Sequence, residues 1–320
     1  MRIIVHFLKL IRWKNLAIIS ATQLLIWLCV MHSFAQQFHI PLFLTWQKLS
    51  LLIASTVLIA ASGYIINDYF DVKIDIRNRP HKVIIGRIIK KRWAMAWHTL
   101  FNIGGIGIGF FLANEIGHIG LVFIQIGSTL LLWVYSTHLK RMFVSGNVAV
   151  ALLTSLSIIT LLFYEPTIYP YIEQKSVLII QEQIVINPFW IIAVYTFFAF
   201  LLTWMREVVK DMEDFKGDKE EGCVTMPIKI GLQKTNYFVL GLSVIALIPL
   251  MISSYILCNT VWFTMGIYII VALLIPISFV MYLLPRKFTM KHYGKISFYL
   301  KMIMILGILS LPLYAYLIFN

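Results

Sequence analysis

The chain has 320 residues, 60% of them hydrophobic and 13% charged, with a mean hydropathy of +0.85. A soluble domain carries about 25% charged residues, so this composition excludes a large soluble core, a disordered chain and a disulfide scaffold. The formal net charge is +13 at pH 7, yet the basic residues sort by loop and not into one patch, which argues against a nucleic-acid partner.

A spanning helix needs about 20 apolar residues. Nine segments qualify in chain order, near residues 15–33, 49–66, 94–112, 119–136, 145–163, 188–208, 236–255, 261–284 and 297–319. The expectation is a single all-α integral membrane domain, residues 1–320, with nine transmembrane helices and the lipid bilayer as its solvent. Ser33-Phe34-Ala35 resembles a signal-peptide cleavage site, but the first apolar stretch is long and reads as a retained helix. Of the 27 Lys and Arg residues, 25 fall on alternate sides of the spans: at the N-terminus, in 67–93, at 140–141, in 206–234 and in 286–301. The other face keeps Lys48 and Lys175. The positive-inside rule then places the N-terminus, and the loops after spans two, four, six and eight, in the cytoplasm.

The run Gly104-Gly105-Ile106-Gly107-Ile108-Gly109 looks like a nucleotide loop, but it lies in mid-span with no strand before it. Gly105 and Gly109 have the four-residue spacing that lets membrane helices approach closely. The three cysteines, Cys29, Cys223 and Cys258, are too scattered for a metal knuckle or a redox pair and read as packing residues. Segment 164–187 is long and carries Glu165, Glu173 and Glu182, which suggests a small cap.

All six aspartates fall in two short segments with one shared spacing, D-x-x-D-x-x-x-D. Asp68, Asp71 and Asp75 follow span two; Asp211, Asp214 and Asp218 follow span six. Offsets of three and seven residues keep the three carboxylates on one helix face. At the end of a membrane helix such a face is costly unless cations lie between the charges. Asn67, four residues before Asp71, adds a neutral oxygen. Oxygen-only donors suit Mg²⁺, which binds through one or two carboxylates plus substrate phosphates. An EF-hand would need a Gly and a Glu at fixed loop positions, and these are missing. Glu220 and Glu221 read as solvated charges.

Cations crowd the same loops: Arg77, Arg79 and Lys82 after the first cluster, Arg206 and Lys210 before the second, Lys140 and Arg141 after span four, and Arg12 and Lys14 before Asn15. Arg grips phosphate oxygens in a fork and Lys as a point charge. Arg77, Lys140, Arg206 and Lys210 are the candidates for substrate phosphate. Lys90, Lys91, Arg92, Arg286, Lys287, Lys291 and Lys295 are assigned to topology and lipid headgroups. His81 and His138 lie near the clusters, but the eight histidines show no metal spacing. A transporter would place its acidic sites near mid-membrane on broken helices, whereas these lie at one end of their spans beside long loops.

Asn67-Asp68-x-x-Asp71-x-x-x-Asp75 resembles the first aspartate-rich motif of the UbiA superfamily of membrane prenyltransferases, and Asp214-x-x-x-Asp218 resembles the second. Arg12-x-x-Asn15 and the stretch Tyr135 to Lys140 are also similar to family patterns. The resemblance implies nine helices around a central cavity open to lipid. It implies two Mg²⁺ ions that bind a polyprenyl diphosphate, and a lipophilic acceptor that captures the allylic carbocation. Asn67, Asp71 and Asp75 would hold one metal and Asp214 and Asp218 the other, with Asp68 and Asp211 assisting. Asp71, Asp75, Asp214 and Asp218 would be the catalytic set. The protein would sit in the cell membrane as a multi-pass enzyme with its site on the cytoplasmic face. The stretch Arg206-Glu207-x-x-Lys210-Asp211-x-Glu213-Asp214-x-x-Gly217-Asp218, with Thr225-x-Pro227 after it, is similar to the digeranylgeranylglyceryl phosphate synthase branch. That branch implies geranylgeranylglyceryl phosphate as acceptor, with an aromatic or quinone precursor as the alternative.

Overall fold

Nine helices of the computed structural model are long and apolar enough to cross a bilayer: Trp13–Gln37, Trp46–Val72, Lys91–Ile116, Ile119–Thr137, Ser145–Phe163, Pro188–Glu220, Leu232–Cys258, Phe263–Leu283 and Met290–Ile318. They coincide with the nine apolar segments of the sequence. The structure describes residues 2–78, 83–172, 177–180, 183–286 and 289–319, and within these the count of nine applies. A short helix, Arg2–Leu10, precedes the first span. Two π-helical turns, Trp27–His32 and Ile270–Leu274, lie inside spans one and eight. Span two continues as helix to Asn78. A small antiparallel hairpin, Val177–Ile180 with Gln183–Ile186, interrupts the all-α pattern after span five.

The chain forms two compact units. The first comprises Met1–Leu24, Phe38–Lys140 and Ser157–Glu173; the second comprises Leu25–Gln37, Arg141–Leu156 and Gln174–Asn320.

In the first unit, span two packs chiefly on spans three and four. Small residues make this contact close. A Cβ at Gly105 would lie 2.7 Å from Ile59 Cγ1 and 3.0 Å from the Ser55 carbonyl oxygen, and one at Gly109 would meet Gln125 Cδ at 2.6 Å. Gly107, between them, faces open space. The Ser55 hydroxyl donates to the Gly105 carbonyl at 2.6 Å, a tie that replaces hydrophobic drive between helices in lipid. Gln23 of span one donates Nε2 to the Ser157 carbonyl at 2.7 Å and to Thr56 Oγ1 at 3.1 Å. Buried Glu165 accepts the backbone N–H groups of Phe43 (2.9 Å) and Leu44 (2.8 Å), so its charge clamps the loop before span two. Of the three glutamates in segment 164–187, Glu165 thus has a structural task, while Glu173 and Glu182 lie outside the described residues.

In the second unit, span six carries two faces. Met205, Val208, Val209 and Met212 are fully buried in a core with Val239, Tyr293, Ile296 and Leu300. By helical spacing, Glu207, Lys210, Asp211, Asp214 and Asp218 fall on the opposite side. Apolar packing on one face therefore fixes where the acidic face points.

Gly105→Ala should be less stable than Gly107→Ala by about 1–3 kcal/mol, the usual cost of overpacking. Both changes add the same helix propensity, so the difference isolates the close approach. Thermal unfolding of the two variants in one detergent measures it; equal stabilities would contradict the packing at Gly105.

Candidate functional site

The first cluster sits where span two leaves its apolar stretch. Beneath it lies a core of Leu10, Ile65, Val72, Ile85, Ile89 and Ala94, flanked by Phe7, Tyr69 and Phe101. This core docks the N-terminal helix against the end of span two. The turn that follows that helix puts Arg12 at φ 52°, a left-handed conformation that non-glycine residues rarely adopt. The strained residue is held on the acidic site. Its Nη2 donates to Asp68 Oδ1 at 3.1 Å, and its guanidinium lies 4.7 Å from the centroid of the Tyr64 ring. Desolvation works against the Arg12 charge, but Asp68 and the neighbouring Tyr64 and Tyr135 more than offset it, and the pKa lies above its ordinary value. Asn15 Nδ2 reaches the Tyr64 hydroxyl at 3.4 Å.

Lys140, just past span four, forms an ion pair with Asp71. Asn67 Nδ2 donates to Asp71 Oδ2 at 3.1 Å and reaches Asp68 Oδ1 at 3.5 Å. The first cluster therefore unites Asn67, Asp68 and Asp71 with two cations from distant parts of the sequence. Asp75 and Arg77 continue the helix, but their side chains lie outside the described residues, as do Arg79, His81 and Lys82. Deeper in the same unit, His98 Nδ1 donates to the Ser62 carbonyl at 3.0 Å and Asn102 Nδ2 donates to His98 Nε2 at 3.1 Å. The His98 ring also packs on Trp133, which meets Phe70 edge-on at 5.7 Å. This buried chain ties span two to span three just below the cluster.

The second cluster lies at the end of span six. Asp211 Oδ2 accepts from Asn147 Nδ2 at 2.8 Å. Arg206 Nη1 donates to Glu207 Oε1 at 2.6 Å, and Lys210 Nζ lies 4.0 Å from Glu207 Oε2. The two cations expected to meet substrate phosphate are thus gathered on a neighbouring glutamate. Asp214 and Asp218 are half-buried on the same helix. Gly294 lets the last span approach this face: a Cβ there would lie 2.8 Å from Glu213 Oε1. Thr225 and Pro227 begin the short helix Met226–Ile230, where the Thr225 carbonyl accepts from Ile228 and Lys229. His138 pairs with Thr137 Oγ1 at 2.7 Å and is exposed. Lys90, Lys91, Arg92, Arg286, Lys291 and Lys295 are exposed, in keeping with a surface role, while Lys287 lies outside the described residues.

Arg12, Tyr64, Asn147 and Glu207 are the groups that spacing alone left without a task here. Asn147 offered one signal, an amide at the start of an otherwise apolar span. The described donors of the first cluster are hard oxygens, two of its carboxylates already attract cations, and among the described residues neither thiol nor imidazole joins them. That set fits Mg²⁺. Among the described residues no three His, Cys, Asp or Glu side chains converge on one metal point.

Helices of this length and apolarity, with duplicated acidic ends, define a multi-pass membrane protein. The UbiA prenyltransferase family model matches residues 24–303, and the chain belongs to that family; it is a prenyltransferase by membership. It is 29% identical to the digeranylgeranylglyceryl phosphate synthase of Methanosphaera stadtmanae over 79% of this chain and 83% of that one. It is 30% identical to that of Saccharolobus solfataricus over 79% of each chain. A solved structure of digeranylgeranylglyceryl phosphate synthase superposes with a TM-score of 0.69 at 26% identity, covering 98% of this chain and 99% of the other. A UbiA homolog from Archaeoglobus fulgidus, solved with DMAPP and Mg²⁺, gives a TM-score of 0.55 at 16% identity over 94% and 98% of the two chains, a likeness of fold.

Asn147→Ala should leave one Asp211 oxygen without its donor. A buried acceptor stripped of its partner costs about 1–3 kcal/mol. Thermal unfolding should show that loss, while Asn147→Asp should be worse than Asn147→Ala because it sets two carboxylates against each other.

Proposed function

We propose that this protein transfers a geranylgeranyl group from its diphosphate to geranylgeranylglyceryl phosphate, with Mg²⁺ as cofactor. The observation that carries the reading is the first cluster, in which Asn67, Asp68 and Asp71 meet Lys140 and Arg12. Carboxylates for a metal and cations for phosphate oxygens stand side by side there. The two relatives compared above are named synthases of the proposed product, and the Archaeoglobus fulgidus homolog was solved with a prenyl diphosphate and Mg²⁺.

In this reading Asn67, Asp68, Asp71 and Asp75 hold one metal, and Asp211, Asp214 and Asp218 hold the other. Mg²⁺, when bound, supplies Lewis-acid stabilisation to the departing diphosphate. The chain's own cations do related work. Arg12 and Lys140, which stand on Asp68 and Asp71, would turn to phosphate oxygens, and Arg77, Arg206 and Lys210 are further candidates for the same task. Such cations stabilise negative charge as it builds on a leaving group. The carbon–oxygen bond to diphosphate breaks with its electron pair leaving on the diphosphate, the acceptor hydroxyl oxygen joins the allylic carbon, and the hydroxyl proton passes to the released diphosphate or to water. We further propose that residues 1–320 act as one catalytic domain, that the enzyme lies in the cell membrane, and that both clusters face the cytoplasm. The last point rests on the distribution of Lys and Arg among the loops.

Labelled geranylgeranyl diphosphate, offered with candidate acceptors, tests the activity. Ether product from geranylgeranylglyceryl phosphate, dependent on Mg²⁺, is the expected result. Product only from an aromatic acceptor would replace the acceptor, and no diphosphate release from any pairing would overturn the reading. Asp71→Ala and Asp214→Ala should each cost turnover by about 100-fold or more, as loss of a main electrostatic stabiliser does. The double variant should be little worse than either single one, because groups that act together are far from additive. Multiplicative losses would mean the clusters serve separate steps. For sidedness, cysteines introduced at Lys90 and Lys219 should react with an impermeant reagent only from the cytoplasmic side; labelling from opposite sides would refute the topology.

A further inference from the structure

Both described carboxylates of the first cluster already carry a cation supplied by the chain. Arg12 sits on Asp68 and Lys140 on Asp71, across 56 and 69 residues of sequence. The Lys140–Asp71 pair is not a loose surface contact, with side chains only 15% and 17% exposed. Arg12 and Asp68 are more open, at 40% and 27%, and the Arg12 guanidinium also lies over the Tyr64 ring. Asn67 completes the arrangement by turning its amide nitrogen to both acids. That orientation uses the donor end of the amide, which no metal can bind, and turns the ligating oxygen elsewhere. Among the described residues the two carboxylates are thus matched by two cations of the chain, and freeing either one for a dication has a cost.

We infer that Lys140 and Arg12 are tethered counter-ions that hold the metal-binding oxygens of Asp71 and Asp68 until a diphosphate draws them away. The inference rests on the reading of this cluster as a metal and diphosphate site, and it concerns how that site fills. A dication arriving alone must pull an ammonium that is only 15% exposed off the Asp71 carboxylate, and breaking such a pair is costly. A diphosphate arriving alone meets carboxylates whose cations are engaged. Arriving together, the two exchange partners with the chain: the carboxylates take the dication and Lys140 and Arg12 take phosphate oxygens. Metal and diphosphate are then positively coupled through the movement of two side chains. By linkage each must raise the affinity of the other by the same factor. A tethered ammonium acts at an effective concentration in the millimolar range or above, so it competes well with a weakly held hydrated dication.

The test is direct binding of Mn²⁺, a hard stand-in for Mg²⁺, followed by electron paramagnetic resonance on the full chain in detergent. It needs no turnover. Lys140→Met removes the competitor while keeping the length of the side chain. Substrate-free Lys140→Met should bind Mn²⁺ about tenfold more tightly than the unaltered protein, within the usual range of site-to-site coupling. Inorganic diphosphate should raise Mn²⁺ affinity strongly in the unaltered protein and far less in Lys140→Met. Arg12→Gln, measured beside it, should move in the same direction and supplies the reading if Lys140→Met does not fold. Unchanged or weaker Mn²⁺ binding in both folded variants, while the unaltered protein still takes up Mn²⁺ with inorganic diphosphate, would overturn the counter-ion role and leave the metal site standing. No Mn²⁺ uptake by the unaltered protein even with inorganic diphosphate, or uptake unaffected by Asp71→Asn, would overturn the metal reading itself and this inference with it.

Discussion

A carboxylate at the end of a membrane helix has few ways to be neutralised. Water is limited, the surrounding side chains are apolar, and neighbouring acids on the same face raise the cost further. Much of the first unit can be understood as an answer to that constraint. The N-terminal helix is docked by Leu10, Phe7 and their aromatic neighbours against the base of span two. The turn after it accepts a left-handed arginine. Span four ends so that Lys140 meets Asp71. Each of these features would be unexplained if Asp68 and Asp71 were apolar.

The second unit meets the same constraint by other means. Its cations, Arg206 and Lys210, are gathered on Glu207 within their own helix, and Asp211 is served by the neutral amide of Asn147. A cation pair with a glutamate between them leaves a local excess of positive charge beside the aspartates, whereas the partner of Asp211 is a neutral amide. The two clusters share a spacing in sequence but have different partners, so they are not equivalent in chemistry. The first is closed by long-range ion pairs. The second is organised largely along one helix, braced by the buried residues on its far side.

Helix packing around these sites relies on contact and polar ties more than on exclusion of water, because lipid is as apolar as the helices themselves. Gly105 and Gly109 allow the approach of neighbouring helices, Ser55 and Gln23 add directional bonds, and His98 with Asn102 joins spans two and three below the first cluster. Such bonds fix rotation as well as distance. Rotation of span two about its axis is what aims Asn67, Asp68 and Asp71 in one direction, so the buried polar chain bears on the site without touching it.

Long apolar runs and duplicated acid spacing are local properties, and the sequence alone was enough for them. Nine spans follow from run length, because lipid demands about 20 apolar residues in a row. Close approach at Gly105 and Gly109 was legible from a four-residue period, as was the shared face of each aspartate triplet. The family could be read from its motifs for the same reason. The partners of the charges could not. Arg12 meets Asp68 and Lys140 meets Asp71 across 56 and 69 residues, and every basic loop offered several equal candidates. Arg206 and Lys210 were read as candidates for substrate phosphate, and their place beside Glu207 was not part of that reading. Asn147 and Tyr64 gained tasks only when helices far apart in sequence were brought side by side. Spacing along one helix sets which side chains share a face, but what stands opposite that face depends on how helices pack and rotate, and only the tertiary structure decides that.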